Sequence, residues 1–126
     1  MNLGDYVADL FARLPFLERD LQPAHLVGML PTVVARLVPT LRAEGYHETD
    51  GVFVHPTATI EAGAIVKGPA IVSQRCFIAA TAYLRGGVFL DQCVTLGPGT
   101  EVKSSVIMAQ TVLAHFNFIG DSIVGA

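Results

Sequence analysis

Lys67, Arg85 and Lys103 follow one another at intervals of eighteen residues. His115 stands twelve residues beyond the last of them, in a stretch, TEVKSSVIMAQTVLAHFNFIGDS, that is otherwise mostly small, aliphatic or aromatic. A guanidinium forks onto two phosphate oxygens and an ammonium acts as a compact point charge. If the spacing brings the three cations together, Arg85 and Lys103 make a phosphate clamp, with Lys67 a weaker contact at its open side. The alternative is a solvated basic edge, since long cationic side chains splay easily into water. A neutral imidazole accepts protons near physiological pH, and the apolar neighbours Ala114, Phe116 and Phe118 would favour that neutral form of His115. A lone histidine is also a common packing residue. One superficially similar motif fails: GPGTEVKS carries Val102 where a phosphate-binding loop needs a glycine before its lysine.

The element that would position these residues is written in the sequence from Val54 onward. Val54, Ile60, Val66, Val72, Ile78, Leu84, Leu90, Leu96, Val102 and Met108 are aliphatic or methionine at every sixth position. Four residues after each comes Ala58, Ala64, Ala70, Cys76, Ala82, Val88, Val94, Thr100, Val106 and Val112, all small or β-branched. An inward aliphatic and a small corner residue every six positions are what a triangular coil requires, with three hexapeptides to a turn. Eighteen residues then complete one coil, and Lys67, Arg85 and Lys103 stack on one corner about one strand spacing apart. His115, two thirds of a coil further on, faces another side.

Residues 1 to about 50 differ in texture. GDYVADLFARL places Tyr6, Leu10 and Leu14 on one helical face behind a possible Asp5 cap. PTVVARLVPTLRAEG runs from Pro31 at a helix start to Gly45 at a C-terminal stop. Pro15, Pro23 and Pro39 are expected to break or kink this zone into two or three short helices that pack on something larger. The division expected is a helical region over 1–50 and a solenoid over 51–126, ending at DSIVGA in mid-coil as if truncated.

Composition bounds the remaining possibilities. The chain has 126 residues, 52% hydrophobic and 15% charged, against about a quarter charged in an ordinary soluble domain. Part of the outer surface is therefore expected to be covered, which points to self-association. A net charge of −3 and the lack of a basic aromatic stripe argue against nucleic acid. The first ten residues contain Asp5 and Asp9 but no lysine or arginine, so they do not read as a signal peptide. Prolines and Arg36 interrupt the apolar stretch after Leu26, so no membrane span is expected either. The reading is a cytoplasmic protein in which Cys76 and Cys93 are reduced, small apolar residues with no metal-ligand spacing. His25 and His47 have no partner pattern and read as surface or packing histidines.

The hexapeptide pattern resembles that of the hexapeptide-repeat acyltransferases. YLRGGVFLDQCVTLGPGTEVKSSVIMAQTVLAHFNFIGDSIVG is similar to the acetyltransferase half of the bacterial bifunctional enzyme that makes UDP-N-acetylglucosamine, joining glucosamine-1-phosphate N-acetyltransferase to N-acetylglucosamine-1-phosphate uridylyltransferase. The family's LRPG-type arginine falls on Arg85 of LRGG, its VEVKN-like lysine on Lys103 of TEVKS, and its histidine before YLGD on His115 before FIGD. The resemblance implies a mainly β fold, a left-handed parallel β-helix of about four coils, working as a homotrimer with sites at subunit interfaces. It implies transfer of an acetyl or other acyl group from acetyl-CoA or another acyl-CoA to the amine of a sugar phosphate or nucleotide sugar. His115 would be the general base, Arg85 and Lys103 would hold the phosphate, and no metal would be needed.

Two departures stand out. Phe118 replaces a tyrosine whose hydroxyl touches the sugar ligand, and a short helical zone replaces the nucleotide-binding pyrophosphorylase domain, so uridylyl transfer is not expected. The alternatives are a non-catalytic β-helix that trimerises or binds a sugar nucleotide, and an accessory domain related to sugar-phosphate nucleotidyltransferases.

Overall fold

A computed structural model describes residues 10–17 and 21–125. The expected Asp5 cap and Tyr6 lie outside these residues. The N-terminal zone gives α1 (Leu10–Arg13), α2 (Pro23–Gly28) and α3 (Leu30–Ala43). Apolar residues at 30, 33, 34, 37, 38 and 41 give α3 one continuous buried or half-buried stripe. It ends as expected at Gly45, whose φ of 83° allows the Gly45 amide to bond Arg42 O and the Tyr46 amide to bond Leu41 O. Pro39 does not break this helix. It lies on the exposed side of α3, and the helix runs through it to Ala43.

A short antiparallel hairpin follows, β1 (His47–Thr49) against β2 (Val52–Val54). From β2 onward every pairing is parallel. The remaining strands are β3 (Thr59–Ile60), β4 (Ile65–Val66), β5 (Ala70–Val72), β6 (Phe77–Ile78), β7 (Tyr83–Leu90), β8 (Thr95–Leu96), β9 (Glu101–Ile107), β10 (Val112–Leu113), β11 (Phe118–Gly120) and β12 (Ile123–Val124). They stack as the three sides of a β-helix of about four turns. Side one holds β2, β5, the second halves of β7 and β9, and β12. Side two holds β3, β6, β8 and β10, and side three holds β4, the first halves of β7 and β9, and β11.

The interior is the aliphatic register read from the sequence. Val72, Ile78, Leu84, Leu90, Leu96 and Val102 are fully buried, lined by Ala70, Cys76, Ala82, Val88 and Val94 at the corners. Most corners turn through a left-handed residue, and these residues also stack. Arg75, Cys93 and Gln110 mark the first corner, Gly63, Thr81, Gly99 and Phe116 the second, and Gly86, Ser104 and Asp121 the third.

The period of six fails after Val102. Leu84 pairs with Val102 and Arg85 with Lys103, eighteen residues apart, but Val88 pairs with Ser105 and Leu90 with Ile107, seventeen apart. Ile107 therefore takes the interior position expected of Met108. Likewise Ser105 takes the corner expected of Val106, and Val112 is 64% exposed. The cause lies at the third corner. Lys103-Ser104 turns there with one residue fewer than Arg85-Gly86-Gly87, which keeps the eighteen-residue register with Lys67-Gly68-Pro69 one coil below, while Gly87, at φ 94°, passes beneath the start of α3. A Cβ at Gly87 would come 3.2 Å from Leu30 Cβ. Ser105 is fully buried, but its hydroxyl donates to Lys103 O and accepts from the Ser122 amide, so the shorter corner leaves no unmatched polar atom there.

The helical zone covers side one. Phe53, Ile71, Phe89 and Val106 point outward from that side and pack with Leu10, Leu14, Leu26, Leu30, Val33, Val34 and Met108 in a second core. Arg13 Nε bonds Asp91 Oδ1 at 2.9 Å, with the aspartate side chain only 2% exposed, and so pins α1 to the first corner. Part of the covered surface inferred from the low charge is thus covered by the chain's own helices. No helix among the described residues is long and apolar enough to cross a membrane.

Candidate functional site

The cation stack forms at the third corner. Arg85 and Lys103 are register partners in adjacent coils, and Lys67 follows Val66, which pairs with Leu84, one coil below. Strand alternation places Tyr83 and Arg85 on one outward face and Glu101 and Lys103 on the face of the next coil. The side chains then pair. Arg85 Nε donates to Glu101 Oε2 at 3.0 Å, and Arg85 Nη2 lies 2.9 Å from the same oxygen in an ion pair. Lys103 Nζ lies 3.5 Å from Asp121 Oδ2. The Tyr83 ring takes Lys67 Nζ at 5.2 Å and the Arg85 guanidinium at 5.9 Å from its centre.

The expected bare ladder of cations is therefore a neutralised one. Like charges one strand spacing apart repel, and interleaved carboxylates relieve that repulsion as a bound anion would. All four ionic side chains remain between 33% and 63% exposed, so an incoming phosphate can compete for the cations. Glu101, Asp121 and Tyr83 were missed in the sequence reading. Glu101 and Tyr83 each stand two residues before a stacked cation, and Asp121 stands eighteen after Lys103, the same interval that revealed the stack.

His115 lies at the second corner, at the other end of side three. From there β11 runs through Phe118, which pairs with Glu101, to Gly120, which pairs with Lys103. The five residue steps from 115 to 120 span on the order of 15 Å if extended, so the imidazole and the cation corner do not meet within one chain. The expected apolar enclosure of His115 is also absent from the single chain. Residues 114 to 116 are exposed, Phe118 is 61% exposed, and the Phe116 ring stands edge-on to the imidazole with centres 5.6 Å apart. Corner residues point outward from the prism, so apolar neighbours in sequence do not bury them.

Among the described residues, no three histidine, cysteine, aspartate or glutamate side chains are grouped to hold a metal ion. Cys76 is buried, donates its thiol to Asp91 O at 3.0 Å, and has its pKa pushed up by burial to about 11. It is a structural residue rather than a nucleophile.

The chain is 32% identical over 107 residues to the bifunctional protein GlmU of Desulfitobacterium hafniense, covering 79% of this chain and 24% of that protein. It is 34% identical over 77 residues to the bifunctional protein GlmU of Nitrosomonas europaea, covering 61% of this chain and 15% of that one. A third relative, the bifunctional protein GlmU of Methanococcus vannielii, is 38% identical over 50 residues, or 40% of this chain and 12% of the relative. The chain thus spans between 12% and 24% of the length of these curated relatives. No protein-family model and no solved structure matches it. The resemblance drawn from the hexapeptide, LRGG and TEVKS motifs is upheld by these relatives and by the β-helix itself.

Proposed function

We propose that this chain is the acceptor-binding and proton-accepting part of a hexapeptide acyltransferase that acetylates the amine of a sugar phosphate. The observation that carries the proposal is the register-matched pair Arg85 and Lys103 on one partly exposed corner, in a solenoid similar to GlmU proteins. Arg85 and Lys103 take the phosphate, displacing Glu101 and Asp121, with Lys67 as an outer contact. Phe118, on the same face, lies under the sugar ring as an apolar surface without the hydroxyl of a tyrosine. The acceptor amine attacks the thioester carbonyl carbon of acetyl-CoA, the coenzyme A thiolate leaves, and His115 takes the amine proton.

Since His115 and the cation corner lie at opposite ends of side three, the reading requires two copies of the chain. The helical layer occupies side one, leaving sides two and three and the corner between them for self-association. A homotrimer places the second corner of one copy against the third corner of its neighbour. The protein acts on small molecules, away from membranes and nucleic acid.

The test is steady-state acetyl transfer from acetyl-CoA to glucosamine-1-phosphate by a protein carrying all its coils. His115→Ala is expected to lower the rate about 100- to 10,000-fold, the range for a positioned general base, with the trimer intact by light scattering. Full activity of that variant would remove His115 from the chemistry. A second reading, a non-catalytic module that binds sugar nucleotides or trimerises, is favoured by the internal pairing of the cations and by the exposure of His115. It requires sugar-phosphate binding or trimerisation with no transfer under the same assay.

A further inference from the structure

We infer that Phe116 is a positioning residue that fixes the orientation of the His115 imidazole, an inference that rests on the proposed role of His115 as base. Phe116 occupies the left-handed turn position of the second corner, at φ 51°, a conformation that bulky side chains adopt rarely and at a cost. The same position in lower coils is Gly63, Thr81 and Gly99. Thr81 compensates there through its hydroxyl, which accepts from the Gly99 amide at 2.9 Å. Phe116 has no such compensation from burial, because it is 80% exposed.

The ring is nevertheless held in place. It lies back over Gly99 so closely that a Cβ on that glycine would fall 2.5 Å from its Cδ1. From there it meets the His115 imidazole edge-on, with an interplanar angle of 89°. A strained, exposed aromatic is poorly explained by stability. Its neighbours suggest another use. With the ring wedged between Gly99 and His115, the imidazole loses part of its rotamer freedom on one side, and its nitrogens keep a constant direction toward a partner copy.

The experiment uses the protein with all its coils. Phe116→Gly places in the turn the residue that best tolerates positive φ, while deleting the ring. The melting temperature is expected to be unchanged or higher, and the His115 ring-proton resonances are expected to shift to those of a free exposed histidine. With glucosamine-1-phosphate and acetyl-CoA as substrates, kcat should fall about 10- to 100-fold, the scale of a misplacement near 1 Å, while KM for the sugar phosphate holds. Phe116→Tyr keeps the ring and restores most of the rate.

Unchanged His115 resonances in Phe116→Gly overturn the inference, as does a rate loss matched by a fall in melting temperature. His115→Ala, assayed in parallel, separates the two levels. If it keeps full activity the proposed function fails, while the resonances still decide whether Phe116 sets the imidazole.

Discussion

Side one and the two bare sides of the prism are built from the same backbone, yet their outward residues differ in purpose. Side one turns Phe53, Ile71, Phe89 and Val106 outward under the helices, and all are buried. Sides two and three present Phe77, Val112, Ile65 and Phe118, all exposed, among threonines, Tyr83 and the Arg85–Glu101 pair. The first set is a conventional core and its packing contributes to folding of the monomer. The second leaves large apolar groups in water beside ionic pairs, an arrangement suited to partners and ligands rather than to the chain's own stability.

The largest expected effect sharpens that contrast. Phe89→Ala removes a 3%-exposed ring from the contact between α3 and β7 and should cost about 3 to 5 kcal/mol in guanidinium unfolding. Phe77→Ala, on side two, should cost under about 1 kcal/mol in the isolated chain. Equal costs would mean that the bare sides are as tightly packed as the covered one. Next in size is Asp91→Ala. It strips Arg13 of its buried partner and the Gln92 amide of its acceptor, with an expected loss of about 2 to 3 kcal/mol. A chain that tolerates it without loss does not rely on this bond to hold the helices on side one.

The interior also imposes a pH dependence. The folded Cys76 thiol keeps its proton to about pH 11, whereas in the unfolded chain it ionises near 9.0. Between those values the unfolded state binds fewer protons, so stability falls as pH rises, by about 2 to 3 kcal/mol across the window. Tyr46, also raised by burial, adds to the same direction. Unfolding midpoints compared between wild type and Cys76→Ala should show a shallower alkaline decline in the variant. Identical slopes would assign the decline to other groups.

Much of the covered and inner structure was legible because periodicity constrains it. Positions from 54 to 102 carry an aliphatic residue at every sixth place without a miss, and the helix end at Gly45 had a single glycine to stop on. The slip after Val102 was not legible, since Val106, Ile107 and Met108 are all apolar and any of them fits the interior. What decides among them is the corner between Val102 and Ser105, one residue shorter than that between Leu84 and Val88, with the Ser105 hydroxyl held by Lys103 O and the Ser122 amide, pairings between coils that no local pattern records. Continuous apolar strands such as AIV at β5 did carry a signal that side one is buried on both faces. At the candidate site the eighteen-residue interval revealed the cations. Their carboxylate partners required reading the strand alternation as well, and the exposure of His115 follows from its corner position rather than from its neighbours.

The smallest expected effect bears on the bare sides directly. Arg85 and Glu101 make good geometry, but their side chains are 39% and 33% exposed, where water screens the charges and holding two long side chains costs entropy. A double-mutant cycle of Arg85→Ala, Glu101→Ala and both together, read by denaturant unfolding, should give a coupling of about 0.2 to 1 kcal/mol. That value would leave the pair free to exchange Glu101 for a phosphate at little cost to the fold, as the proposed clamp requires. A coupling well above about 2 kcal/mol would make the pair structural, like Arg13 with Asp91. Arg85 would then be committed to holding adjacent coils together, and the phosphate would have to be held by Lys103 and Lys67 alone.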